Sequence, residues 1–134
     1  CLVIDVGTAL TLDAIDDAGE HLGGQIIPGS TTMANALAAA TSDIPSVRPL
    51  PKGKAASMQM FGRNTAAAVR EGVQNAIIGA IDRAFRTLKA SGSKPTAILT
   101  GGDASRILDA LETTALHRPN LVLQGLAHML DSTQ

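Results

Sequence analysis

Tryptophan and tyrosine are absent from this chain, and phenylalanine occurs only as Phe61 and Phe85. A core without aromatics has to be built from Ala, Leu, Ile and Val, which favours closely approaching backbones and tightly packed helices. The single cysteine, Cys1, excludes an internal disulfide and any cysteine-based zinc site. His21, His117 and His128 are scattered without ligand spacing and read as ordinary solvent-side residues. No apolar run reaches the length of a membrane span. Neither sign of charge dominates, since 11 basic and 12 acidic residues leave a formal net charge of −1. A chain that lives on phosphate backbones needs a basic face, so nucleic acid is not an expected partner. Together these absences fit a reducing cytoplasm.

What is present is enough for one domain, at 134 residues. Residues 2 to 6, LVIDV, read as a short buried strand, and Gly7-Thr8 supplies a turn into a second extended run, ALTLDAID. A turn at Asp16–Gly19 leads to a third strand in EHLGGQIIPG, weakened by Gly23-Gly24 and ended by Pro28-Gly29. Ser30 or Thr31 is the expected N-cap of a helix through TMANALAAAT. The stretch 44–62 carries three prolines and no clear period, and loops of that length are often functional. A long helix is expected from Asn64 to Ala90, with Val69, Val73, Ile77, Ile81 and Leu88 on its apolar stripe and Asp82 paired with Arg86. Thr96–Thr100 reads as a strand, ASRILDALETTA as a helix, Leu121–Leu123 as a last strand and GLAHML as a terminal helix. The order is βββ-α-α-β-α-β-α, an α/β mixed sheet flanked by helices, and it matches the ribonuclease-H-like fold.

Four short motifs punctuate this order. In Asp5-Val6-Gly7-Thr8 a carboxylate ends a buried strand beside a turn whose amides and hydroxyl can hold phosphate oxygens, while the carboxylate can hold a cation. A capped hairpin explains the same residues. TGGD, residues 100 to 103, sits at another strand end before a helix, where two glycines let a nucleotide lie against the backbone; a plain strand-to-helix turn with Asp103 as cap is equally good. GRNT, residues 62 to 65, opens the long helix, and Asn64 or Thr65 is a natural cap there. GGQIIPG, residues 23 to 29, is also a fair edge strand and turn. Each piece alone is weak.

In this order on one chain, the four motifs resemble the C-terminal half of a type III pantothenate kinase, within the acetate and sugar kinase, heat-shock chaperone and actin superfamily. The resemblance runs from LVIDVGTALTLD to LVLQGLAHML, essentially the whole chain. It implies ATP-dependent phosphorylation of pantothenate, at the start of coenzyme A synthesis, with Mg2+ accompanying ATP. It implies that Asp5 binds a monovalent cation, potassium or ammonium, and that Gly7 and Thr8 contact ATP phosphate. Gly101 and Gly102 resemble the adenosine-side glycines of the superfamily. Thr65 is implied to contact pantothenate across a homodimer interface built on the long helix 64–90. Asp13 matches the TxD of the first motif, with either a metal-side or a sheet-end hydrogen-bonding role, and Gly23 and Gly24 allow close packing near substrate.

The chain also departs from the family pattern. Such kinases close two lobes over the nucleotide, and the first lobe brings a second Asp-x-Gly loop and a GxDR-like segment carrying the general base. This chain has one DxGT, and its only Asp-Arg pair, Asp82-Arg83, lies inside the long helix. The base is therefore expected ahead of Cys1, no catalytic residue is assigned here, and the chain is expected to be one lobe, inactive alone. Two other readings compete. One is a non-catalytic accessory or regulatory protein on the same fold; the other is a superfamily kinase acting on a sugar or acetate.

Overall fold

The computed structural model describes residues 1–47 and 60–131, so most of the proline-containing stretch 44–62 lies outside the described residues. Three strands come first: β1 (Leu2–Val6), β2 (Ala9–Ile15) and β3 (His21–Pro28). Two helices follow, α1 (Ser30–Ala40) and α2 (Thr65–Ala90). The remaining elements are β4 (Ala97–Thr100), the single-turn α3 (Ala104–Ile107) with a 3₁₀ turn over Leu108–Ala110, β5 (Ala115–His117) and α4 (Leu121–Asp131). The five strands form one mixed sheet in the order β3-β2-β1-β4-β5. β1 runs antiparallel to β2 and parallel to β4, and β4 runs parallel to β5.

Alternation along the strands decides which face is covered. Leu2, Ile4 and Val6 of β1 are buried with Leu10 and Leu12 of β2 and with Ala97 and Leu99 of β4. The stripe Val69, Val73, Ile77 and Ile81 of α2 recurs at helical spacing and belongs to the same core. These side chains are small and branched, so a long helix can lie close to the sheet without aromatic filler. β3 is the exposed edge of the sheet, with Ile27 as its partly buried contribution to the core.

Several expectations need correction. The last strand is Ala115–His117, and Leu121–Leu123 is the first turn of α4. A three-residue aliphatic run fits either state, and here the helix continues through Gly125 with Gln124 N–H bonded to the Asn120 carbonyl at 2.9 Å. The expected helix through residue 115 stops early for a reason found thirty residues away. Asp82 of α2 is 4% exposed, and its carboxylate accepts the Thr113 N–H at 3.0 Å and the Glu112 N–H at 3.2 Å. Those amides are then not available to a helical ladder, and the chain leaves the helix and enters β5. Asp82 therefore does not pair with Arg86, whose guanidinium reaches Glu112 at 3.1 Å on the surface. The N-cap of α1 is Gly29, one position before the expected serine. Asn64 does cap α2, accepting the Ala67 N–H at 2.9 Å.

Asp82→Ala is expected to lower stability by about 2–4 kcal/mol, because a buried amide and a part-buried one lose a charged acceptor. Arg86→Ala, which removes only an exposed ion pair, is expected to cost less than about 1 kcal/mol. Urea unfolding of both variants checks the contrast.

Candidate functional site

The carboxyl ends of β1, β4 and β5 come out on the same edge of the sheet, which is where open α/β sheets place their ligands. Asp5 is the penultimate residue of the central strand, paired across to Thr11 on β2 and to Thr100 on β4. A cleft of about 360 Å³ opens there, lined by Asp5, Thr100, Gly101, Gly102 and His117. Among the described residues, Asp5 is the only acidic side chain on its wall.

The Thr100–Gly102 turn lines the cleft, and it is joined directly to the end of β1, where the Gly7-Thr8 turn begins. The turn after β4 folds back so that the Asp103 N–H donates to the Val6 carbonyl at 2.9 Å. Gly101 makes that return possible. Its φ is +98°, and a Cβ at this position would collide with Asp5 Oδ1 and with the backbone of Val6. The other turn, Gly7-Thr8, is pinned from beneath by the start of α1. Gly29 N–H bonds the Thr8 carbonyl at 2.9 Å, and the Thr32 hydroxyl donates to the same oxygen at 2.8 Å. Gly29 has to lack a side chain because a Cβ would run into the Gly7 carbonyl. Thr8 itself stands exposed at the tip.

Not every glycine is explained by packing. Gly7 would meet only the Ala9 carbonyl at 3.9 Å if it carried a Cβ, and Gly102 would meet nothing within 4 Å. Of the two, Gly102 lines the cleft beside Asp5.

The structure thus brings Asp5, Gly7, Thr8, Gly101 and Gly102 to one end of the sheet. It does not bring Thr65 there. Thr65 is exposed at the first turn of α2 and lines a separate apolar groove of about 750 Å³ between α1 and α2, with Met33, Leu37, Ala68, Gly72 and Ala76. Asp13 lies at mid-strand opposite Gly24 and pairs with His21 at 3.0 Å, both partners being substantially exposed. Among the described residues no group of three or more His, Cys, Asp or Glu side chains converges as a metal centre. No helix among them is long and apolar enough to cross a membrane. Sequence reasoning missed His117, Ser105 and Val122 on the cleft wall. His117 was hidden because it ends a strand that the sequence pattern puts six residues later.

Comparison with known proteins gives this geometry a family. The sequence model of type III pantothenate kinase matches residues 1–87, well over half of the chain. The chain belongs to the type III pantothenate kinase family. A protein of that name from Alkalilimnicola ehrlichii is 40% identical over 133 residues, covering 96% of this chain and 49% of its own length. Another from Dehalococcoides mccartyi strain CBDB1 is 37% identical over 127 residues, covering 94% of this chain and 46% of its own. The chain therefore spans about half the length of these relatives. A crystal structure from Campylobacter jejuni, assigned to the Baf family of transcriptional activators, has the same fold, with a TM-score of 0.66 at 23% identity over 98% of this chain and 57% of that one.

Gly101→Ala is expected to lower stability by roughly 1–3 kcal/mol, since the new side chain meets both an unfavourable φ and the Asp5 carboxylate. Gly102→Ala is expected to be nearly neutral for stability. Thermal unfolding of the two variants side by side checks this.

Proposed function

We propose that this chain is the nucleotide-binding lobe of a two-lobe kinase that transfers the γ-phosphoryl group of ATP to pantothenate. The observation that carries the reading is the junction of the Asp5–Thr8 hairpin with the Thr100–Asp103 turn over one carboxylate, in a chain of this family. Phosphoryl transfer needs positioned donors and charge compensation more than covalent help from the protein. The Gly7 N–H is spent on the Ala9 carbonyl at 2.9 Å, so the exposed Thr8, through its hydroxyl and amide, is the part of this turn left to hold phosphate oxygens, and the open space at Gly102 leaves room for the nucleoside against the backbone. The ribonuclease-H-like description of the lobe agrees with the antiparallel β1-β2-β3 meander followed by parallel β4 and β5.

The residues present fit a monovalent cation. A single carboxylate, Asp5, lies beside two strand-end turns, which suits K+ or NH4+ and is too little charge for a dedicated divalent cage. Such an ion, together with Mg2+ carried on the ATP phosphates, supplies neutralisation of the charge that develops in transfer. The general base belongs, in this reading, to a segment ahead of Cys1. A second lobe also accounts for α4, on which Val122, Leu123, Leu126, Met129 and Leu130 are all exposed. A cytoplasmic setting suits such an enzyme.

Self-association along α2 completes the proposal. Ala68, Gly72, Ala76 and Gly79 form an exposed stripe of small residues on that helix, and neither glycine has a neighbour that its own chain requires it to clear. Two copies can approach closely along it. Thr65 lies away from its own cleft and at the head of the same groove, which supports the reading that it contacts pantothenate in the partner's site. The accessory-protein reading draws on the Campylobacter neighbour, but a net charge of −1 offers no basic face for DNA.

The test is turnover of ATP and pantothenate by the full gene product, with and without K+. Asp5→Asn is expected to lower kcat/KM by about a hundredfold or more and to abolish the cation dependence. Thr65→Ala is expected to raise the KM for pantothenate about tenfold with little change in kcat; an unchanged KM removes Thr65 from the substrate site. Ala76→Arg is expected to convert dimer to monomer in sedimentation, and a monomeric wild type contradicts the α2 interface.

A further inference from the structure

Thr32 stands exposed in the first turn of α1, where burial gives no reason for a β-branched residue that helices accept less readily than alanine. Its hydroxyl reaches out of the helix. It donates to the Thr8 carbonyl at 2.8 Å, twenty-four residues back along the chain. The Gly29 N–H donates to the same oxygen at 2.9 Å, so both acceptor positions of that carbonyl are filled. Among the described residues, no other side chain hydrogen-bonds the Gly7–Ala9 turn.

The turn needs such anchors because Gly7 leaves its backbone more freedom than any residue with a side chain would. Before Thr8 the chain is held by the Gly7 N–H on the Ala9 carbonyl at 2.9 Å. Directly after it, the Thr8 carbonyl is held by Gly29 and Thr32. Of those two donors the Gly29 N–H is main chain, and the Thr32 hydroxyl is the one that a substitution removes. We infer that Thr32 is a positioning residue for the phosphate end of the nucleotide. It holds Thr8 in the orientation in which the Thr8 hydroxyl and amide meet phosphate oxygens, and makes no contact with the ligand itself. This inference rests on the kinase reading of the Asp5–Thr8 turn and adds a signature to it. A group that acts through Thr8 affects binding of the phosphates and not of the nucleoside, which in that reading lies against Gly102. A residue that serves only α1 or the fold affects both alike.

Thr32→Val keeps the shape and branching of the side chain and removes only the hydroxyl, whereas Thr32→Ser keeps the hydroxyl. Both are made in the full gene product and titrated with a non-hydrolysable ATP analogue by calorimetry and with adenosine by amide-shift titration. Thr32→Val is expected to weaken the analogue about tenfold, and Thr32→Ser to stay within about twofold of wild type. Adenosine affinity and the KM for pantothenate are expected to be unchanged in both. Circular dichroism confirms the fold, and Thr32→Ala carries the same expectation if the valine variant fails to fold. Unchanged analogue affinity in Thr32→Val, with Thr8→Ala weakened, overturns the inference and leaves the kinase reading standing. An equal loss for adenosine assigns Thr32 to the fold and overturns it, as does a loss in Thr32→Ser as large as in Thr32→Val. A wild type that does not bind the analogue overturns the kinase reading and this inference together.

Discussion

The hydrogen bond from the Asp103 N–H to the Val6 carbonyl is the constraint on which the candidate site depends. It crosses between two parallel strands at their carboxyl ends and fixes the turn after β4 against the hairpin after β1. Parallel pairing sets the two strand ends level, with Asp5 beside Thr100. The positive φ of Gly101 then turns the chain back over Asp5 at once, with no room for a side chain between them. Without this bond the two turns would have no common frame, and a carboxylate at the end of β1 would be only a strand terminus.

The core beneath explains why the frame can be rigid in a chain so poor in aromatics. Fully buried Leu2, Ile4, Leu10, Leu12, Leu99, Ile77 and Ile81 hold the sheet against α2. Branched aliphatic side chains have few rotamers, so little freedom remains to be lost when they pack. The glycines divide on the same logic. Gly29 and Gly101 are demanded by contacts inside the chain, whereas Gly7 and Gly102 are not, and Gly102 lines the cleft beside Asp5. A glycine that its own fold does not require, next to a carboxylate in a cleft, is the place where another molecule's atoms fit.

Much of this was legible in the sequence, and the limits have physical causes. The alternation in LVIDV and ALTLDAI, the period of the α2 stripe and the Asn64 cap are local signals, and each element formed where its signal lies. The order DxGT, GGxIxPG, GxNT, TGGD carried the family because relative order survives where single motifs are ambiguous. The exit from α3 was not legible, since it is decided by Asp82 on another helix, and with it went β5 and the position of His117. The placement of Thr65 away from Asp5 was likewise invisible, because spacing along the chain says nothing about which groove a helix start will face.

In the proposed function the two turns act together as one nucleotide cradle. Backbone amide shifts of the isotope-labelled full gene product, followed while a non-hydrolysable ATP analogue is added, test it most directly. The account predicts saturable shifts at Gly7, Thr8, Gly101 and Gly102 with one common affinity, extending to His117 on the same wall. Binding that leaves the Gly7-Thr8 turn or the Gly101-Gly102 turn unmoved, or no binding at all, would contradict it.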